Sequence, residues 1–360
     1  MVNRFILLCW FIIFSSCIDK FDFERPDSIR GAVSIQAKLA KGNPSTIEVV
    51  IKDVFDFFNS PRFLTAGKVL LIDEAGNELT LATKRQGFFN LEIPEDHPFF
   101  KVDYGLKYKI RIENLKGDDY ESDFDELFPA PIPDNLHVEE TTIEFLDREG
   151  NERTFDQLNF YIDTPLKAPQ QTQNSRILWE LVGIAKVTDT PNAGACTIRR
   201  DPAPKSCYAE YPPVKNYLTF DGINSSQGRI DNLLLNESNY TNLFAEGYYM
   251  VVYQQSVSEQ AFTYWSRVGL IVDRTGDVFQ EPVGKINTNV RNLDNPDQDV
   301  FGFFYATEQH PIRVYISPEF GRNPTNQCPL IGMGGEQADF CCNCLSLENS
   351  TDVKPDWWVE

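Results

Sequence analysis

Between Gly31 and Ser122, segment after segment places an apolar residue at every second position, and this period limits the folds open to the chain more than any other feature. In LKYKIRIENLKGDDYES (106–122) the alternation is strict through Tyr108, Ile110 and Ile112. GAVSIQAKL (31–39) and STIEVVIKDV (45–54) share it across a KGNP turn, and KVLLIDEAGNELTLAT (68–83) sets EAGN between two such runs. GFFNLEIP (87–94) adds another. A period of two buries one face of a strand and leaves the other in water. Six or seven short strands at this spacing predict an immunoglobulin-like β-sandwich over residues 29–130.

Composition extends this reading to the rest of the chain. Aromatic residues make up 13%, with 27 Phe, and turn formers are plentiful at 22 Pro and 21 Gly. The expected fold is mainly β: the N-terminal sandwich, then a larger β-rich domain over 137–360 with one or two helices. Three prolines in LFPAPIPDNL (127–136) predict an extended crossing between the two. Strands are expected in TTIEFLDREG, NFYIDTPL, SRILWELVGIAKVT, GYYMVVYQQ, VGKINTNV, VFGFFYAT and IRVYIS. SVSE (256–259) reads as a capping box pairing Ser256 with Glu259, and Ala261, Phe262, Trp265 and Val268 follow at helical spacing as a core-facing stripe.

The chain opens MVNRFILLCWFIIFSSC. Arg4 precedes an apolar run from Phe5 to Phe14 that is too short to span a bilayer, and small residues stand directly before Cys17. Residues 1–16 read as a lipoprotein signal peptide, Cys17 as the lipidated residue, and 17–28 as a polar tether. The mature chain is then expected at a membrane through its lipid rather than through a spanning helix. The formal charge of −20 excludes a nucleic-acid partner, because a polyanion repels phosphate backbones.

Cysteine usage suits an oxidising compartment. With Cys9 in the signal, Cys196, Cys207, Cys328, Cys341, Cys342 and Cys344 remain. Cys196 and Cys207 flank the loop TIRRDPAPKS and are expected to pair, and Cys328 is expected to join one of the terminal three. A vicinal Cys341–Cys342 bridge would be strained. In DVFDFFNSPRFL (53–64), Phe55, Phe57, Phe58 and Phe63 are candidate partner contacts, against the plainer reading of a loop folded over the sandwich end. The tail pair Trp357–Trp358 is expected to pack beneath the terminal disulfide.

From Tyr248 onward SVSEQAFTYWSRVG, EPVGKINTNV, DVFGFFYAT, CCNCL and KPDWW occur in an order that resembles a Bacteroidota outer-membrane lipoprotein family, catalogued as domain of unknown function 4249. DEAGNELTL and LKYKIRIENLKGDDYES also resemble its first domain. The chain departs from the family pattern at Lys285-Ile286-Asn287, at Trp357 where Phe is usual, and at Cys342, an extra thiol. The resemblance implies a surface lipoprotein acting beside a TonB-dependent outer-membrane receptor. It transfers no catalytic residue, because the family has none established.

The chemistry-bearing residues agree with a non-catalytic reading. Of the three histidines, His97 and His137 fall in apparent loops or edges and His310 in a turn before Pro311, and no Gly-x-Ser-x-Gly elbow accompanies them. Cys341-x-x-Cys344 lacks the second close pair that a zinc ribbon needs, which leaves structural disulfides as its role. Asp294, Asp297 and Asp299 do not complete a calcium loop and read as a solvated turn. No metal, cofactor or catalytic residue is expected. The function expected is an accessory or ligand-binding partner of a TonB-dependent transporter. The alternatives are a structural subunit of an outer-membrane assembly or secretion complex, or a surface hydrolase acting on glycan or peptide.

Overall fold

A computed structural model describes residues 31–54, 62–196, 203–213, 215–272, 286–320 and 324–359. The alternating segments form strands where the period requires them. In chain order these are β1 (Val33–Lys41), β2 (Ser45–Asp53), β3 (Lys68–Asp73), β4 (Glu78–Thr80), β5 (Ala82–Arg85), β6 (Phe88–Ile93), β7 (Lys107–Leu115), β8 (Asp118–Ser122) and β9 (Asp125–Glu126). After the proline-rich crossing come β10 (Asn135–Leu146), β11 (Glu152–Pro165), β12 (Arg176–Thr188), β13 (Ser206–Tyr211), β14 (Tyr217–Asp221), β15 (Arg229–Asn239) and β16 (Tyr248–Ser256). Helix α1 (Glu259–Val272) follows, then β17 (Val290–Asn292), β18 (Val300–Phe301), β19 (Phe304–Ile316), the single-turn α2 (Asp339–Cys342) and β20 (Ser350–Thr351). The fold is mainly β, with three sheets and two α-helices among the described residues.

The largest sheet runs β20-β13-β12-β16-β19-β1-β2-β6-β5, with β14 also on β12 and β18 also on β1. Its central seam is a parallel pair in which Ala37 to Lys41 of β1 lie against Phe304 to Glu308 of β19. One sheet therefore passes through both halves of the sequence. The second sheet, β17-β8-β7-β3-β4 with β9 on β7, faces the β1 end of the first, and the third is β10-β11-β15.

Two cores result. In the first, Ile35, Leu39, Ile47, Val49 and Ile51 of one sheet meet Leu71, Tyr108, Ile110 and Ile112 of the other. Each fully buried aliphatic side chain there contributes about 2 kcal/mol. Val290, Val300, Phe304 and Ala306 share this core, so residues 29–130 do not close the sandwich on their own: a late segment of the chain completes it. Two of the three sheets thus take strands from both sides of the crossing at 127–136, while the third begins only at its end. In the second core, Trp179, Leu181, Met250 and Val252 pack against Leu158, Phe160 and Ile162 of the third sheet.

Two local expectations need correction. The segments VFGFFYAT and IRVYIS, expected as separate strands around a turn at His310, lie largely on one strand, β19, with His310 in its middle. Pro311 is tolerated because β1 has already ended opposite Glu308, which leaves β19 paired there on one side only. Helix α1 starts at Glu259, and Ser258 rather than Ser256 caps it, its hydroxyl accepting from the Ala261 N–H at 3.2 Å. The Ser256 hydroxyl instead donates to the Phe128 carbonyl at 2.6 Å. Ala261 and Trp265 are buried beside Leu178, Phe303 and Tyr305, with Phe262 and Val268 packed against them, which is the core role read for this stripe.

Candidate functional site

The proline-rich crossing is held along its length by buried polar side chains of β16 and β19. Gln254, fully buried, accepts the Trp179 indole N–H at 2.7 Å and donates to the Pro131 carbonyl at 2.8 Å and to Thr164 Oγ1 at 2.7 Å. Ser256 holds Phe128, and the Ala130 N–H donates to Glu308 Oε2 at 2.7 Å. Nearby, the Asp125 carboxylate accepts from the Ser258 hydroxyl and from the Ala306 N–H at 2.8 Å. Burial pushes the Asp125 carboxyl up to about 6, against the lowering effect of those two hydrogen bonds. Asp125 is only 2% exposed, so its role is to join elements rather than to meet a ligand.

Beside this junction opens a cleft of about 440 Å³. Lys41 at the end of β1, Asn43 in the β1–β2 turn, Glu95, Lys101 and Asp103 in the β6–β7 loop, and Glu308 on β19 line it. The volume lies in the range of small-molecule sites. Lys41 Nζ donates to the Val102 carbonyl at 2.7 Å, reaches Asp103 Oδ1 at 3.4 Å and lies 4.9 Å from the centre of the Tyr104 ring. The Tyr104 hydroxyl donates to Glu308 Oε1 at 2.8 Å, and His310 Nε2 lies 3.7 Å from Oε2. Lys101 has no ion-pair partner among the described residues.

The charge states follow from these contacts. Burial alone would raise Glu308, but the nearby His310 ring and the hydrogen bonds from the Ala130 N–H and Tyr104 outweigh it and hold the carboxyl below its ordinary value. The N–H of Tyr104, bonded to Asp103, keeps that carboxyl low as well. Burial first, and then Glu308, push the Tyr104 phenol well above its ordinary range. The cleft wall therefore carries the ionised carboxylates of Glu308 and Asp103, with the Tyr104 phenol beside it already donating to Glu308.

The residues singled out from sequence are scattered. Cys17 and Phe55, Phe57 and Phe58 lie outside the described residues. Phe63 is half-buried, its ring 4.7 Å from that of Phe88, with its backbone bridged to Lys52. His97 accepts the Phe100 N–H in the β6–β7 loop, and His137 stacks on Tyr161 at 5.5 Å; neither meets the cleft carboxylates. Asp294 accepts the Asp119 N–H at 2.7 Å, and Asn292 organises the following turn through the N–H groups of Asp294 and Asn295. Among the described residues no group of three or more His, Cys, Asp or Glu side chains is placed to hold a metal ion.

The expected Cys196–Cys207 bridge is not formed. Cys196 pairs with Cys342, Cys207 with Cys344, and Cys328 with Cys341. β13 lies beside β12 and β20, which brings Cys207 to the tail and away from Cys196. Cys342, left over as an extra thiol in the sequence reading, completes the set. Trp358 is buried against Tyr208 and Tyr249 on the sheet, with Trp357 beside Arg313. Sequence reasoning missed the cleft because its lining comes from three distant segments, each an ordinary polar turn or strand end.

These features define a mainly β protein with a disulfide-stapled tail and a polar cleft between three distant segments. The chain belongs to the family described as Domain of unknown function (DUF4249), whose sequence profile matches residues 18–313. The CCNCL and KPDWW motifs lie beyond that match. Neither the curated proteins nor the solved structures contain a significant match to the chain.

Proposed function

We propose that the protein is an outer-membrane lipoprotein of the Bacteroidota type, anchored through Cys17 at the cell surface, serving a TonB-dependent transporter as a non-catalytic accessory or ligand-binding partner. The observation that carries the ligand-binding part is the cleft, where Lys41 and Glu308 are held by hydrogen bonds and Lys101 has no ion-pair partner among the described residues. The signal-like N-terminus and three disulfides support an extracytoplasmic location. The order β5-β6-β2-β1 facing β4-β3-β7-β8 supports reading the first core as an immunoglobulin-like sandwich, since it follows the strand order of that fold.

The test is a mild-detergent pull-down of the tagged, lipidated protein from its own envelope. Recovery of a TonB-dependent barrel is the expected result. Recovery of no such barrel overturns the reading, and recovery of assembly or secretion subunits alone favours a structural role instead.

A further inference from the structure

The third sheet carries a projecting arm whose amphipathic pattern is inverted relative to its root. β15 covers β11 only from Gln157 to Pro165, whereas β10 and β11 pair all the way to Leu146 opposite Glu152. Beyond Gln157 the hairpin is a two-stranded ribbon about 17 Å long, at about 3.4 Å per residue. Its side chains are exposed or half-buried on both faces. Such a ribbon is only marginally stable in water on its own. Local struts hold this one: Thr142 Oγ1 donates to Asp156 at 3.1 Å, Asp147 accepts the N–H groups of Glu149 and Asn151, and Arg153 Nε donates to Asp147 at 3.1 Å.

At the root, Leu136, Leu158, Phe160 and Ile162 point into the second core. Side chains alternate along a strand, so the same face continues outward as Glu140, Thr142 and Glu144 opposite Leu158, Asp156 and Thr154. Along the arm that core-side face turns acidic, apart from the exposed Leu146 opposite Glu152 at its tip. Three apolar residues take the other side: Ile143 lies opposite Phe155, and Phe145 sits diagonally from Phe155 with ring centres 5.6 Å apart, on the face away from the core. Phe145 is 44% exposed. This apolar face also carries the His137–Tyr161 stack nearer the root. A ribbon meant only to be solvated would not carry aromatic residues on its outer face and carboxylates on its inner one.

We propose that residues 139–157 form a docking arm for a partner protein whose groove has an apolar floor for Phe145 and Phe155 and Lys or Arg side chains facing Glu140, Glu144 and Glu152. Residues 139–156 hold seven acidic and two basic side chains, so an anionic lipid surface is repelled. A second copy pairing edge to edge through β10 would set Glu139, Glu140 and Glu144 against like charges, which is unfavourable. A basic, apolar groove on a different protein satisfies both faces at once. The arm rests on the proposed accessory role only in needing a partner protein; it does not require that partner to be a transporter barrel.

The experiment uses full-length, lipidated protein in intact cells, with a photoreactive benzoylphenylalanine at Phe145, at Thr154, or at Thr83 on β5 as a control. Pull-downs of Phe145→Ser/Phe155→Ser and Glu144→Lys/Glu152→Lys variants accompany it, with thermal unfolding to verify the fold. The expected result is one protein, identified by mass spectrometry, crosslinked from positions 145 and 154 but not from 83. Its recovery should fall about tenfold or more in each variant, with melting unchanged, and should weaken with added salt. Absence of an adduct from position 145, or adducts only with lipid or with another copy of this chain, overturns the arm. If a barrel is recovered undiminished by both variants, the arm fails while the transporter reading stands. If the crosslinked protein is not a barrel, the arm stands and the transporter reading fails.

Discussion

Asp125 and Ser258 are 133 residues apart in sequence and share a hydrogen bond of 2.5 Å. Ser258 caps α1 with the same hydroxyl oxygen that donates to Asp125, and the second carboxylate oxygen takes the Ala306 N–H. A single side chain on the short β9 thus joins a helix start to the first residues of β19. The sandwich, the long sheet and the helix meet there.

This arrangement predicts a pH effect. The Asp125 carboxyl titrates near 6 in the folded protein against 3.8 as its ordinary value. Below 3.8 it is protonated in both states. Between the two values the folded form keeps a proton that the unfolded form has lost, so stability falls as pH rises through that window. The full effect is about 3 kcal/mol. Glu210, raised by its burial, acts in the same sense. Thermal unfolding between pH 4 and 7 should show the melting temperature falling with pH, and Asp125→Asn should flatten that fall.

Gln254→Leu removes three hydrogen bonds at once and strands the Trp179 indole N–H in the core. The expected cost is about 3 kcal/mol, read by denaturant unfolding. Limited proteolysis distinguishes this from general loosening. The 127–136 crossing should resist cleavage in the wild type and become a first cut site in the variant.

Gly302 sits between β18 and β19 with φ of +92°, and a Cβ there would lie 2.0 Å from the Ile35 carbonyl oxygen. Gly302→Ala must push β1 away from β19 as well as strain the backbone. A loss of about 4 kcal/mol is expected. Hydrogen exchange should show the damage at β1 and β19 first, with β12 and β13 less affected.

The disulfides differ in the chain they close. Cys328–Cys341 spans 13 residues, whereas Cys196–Cys342 and Cys207–Cys344 span 146 and 137. The two long bridges close nearly the same loop, so either one lost alone releases only about a dozen residues and costs about 3 kcal/mol, as the short bridge does, whereas losing both costs about 5 kcal/mol more. Paired Cys→Ser replacements, compared by denaturant midpoint, should therefore be similar singly and hurt most when both long bridges are removed together. Non-reducing peptide mapping checks the pairing itself.

Much of the secondary structure was legible because its causes are local. Tyr108, Ile110 and Ile112 alternate in sequence and are fully buried on one face of β7. The helical stripe through Ala261 and Trp265 was equally plain, but its cap was not. SVSE offers two serines, and the structure uses Ser258, whose hydroxyl also meets Asp125, a residue the local pattern does not contain. His310 read as a turn residue because Pro311 follows it. Only the early end of β1 makes a proline acceptable in that strand. The cleft was invisible for the same reason: Lys41, Asp103 and Glu308 have no shared local signal.

The sequence by itself determined the mainly β character, the turns, the helix that follows β16 and an even set of late cysteines. Each of these is dictated by side-chain period, backbone preference or thiol chemistry over a few neighbouring residues. The tertiary structure decided that β1 would lie against β19, that Cys196 would find Cys342, and that Phe145 and Phe155 of the β10–β11 arm would face away from the core. Backbone hydrogen bonds carry almost no sequence identity, and a strand's two faces are assigned only by what packs on them. Pairing across hundreds of residues is therefore settled by the complete core and not by any segment within it.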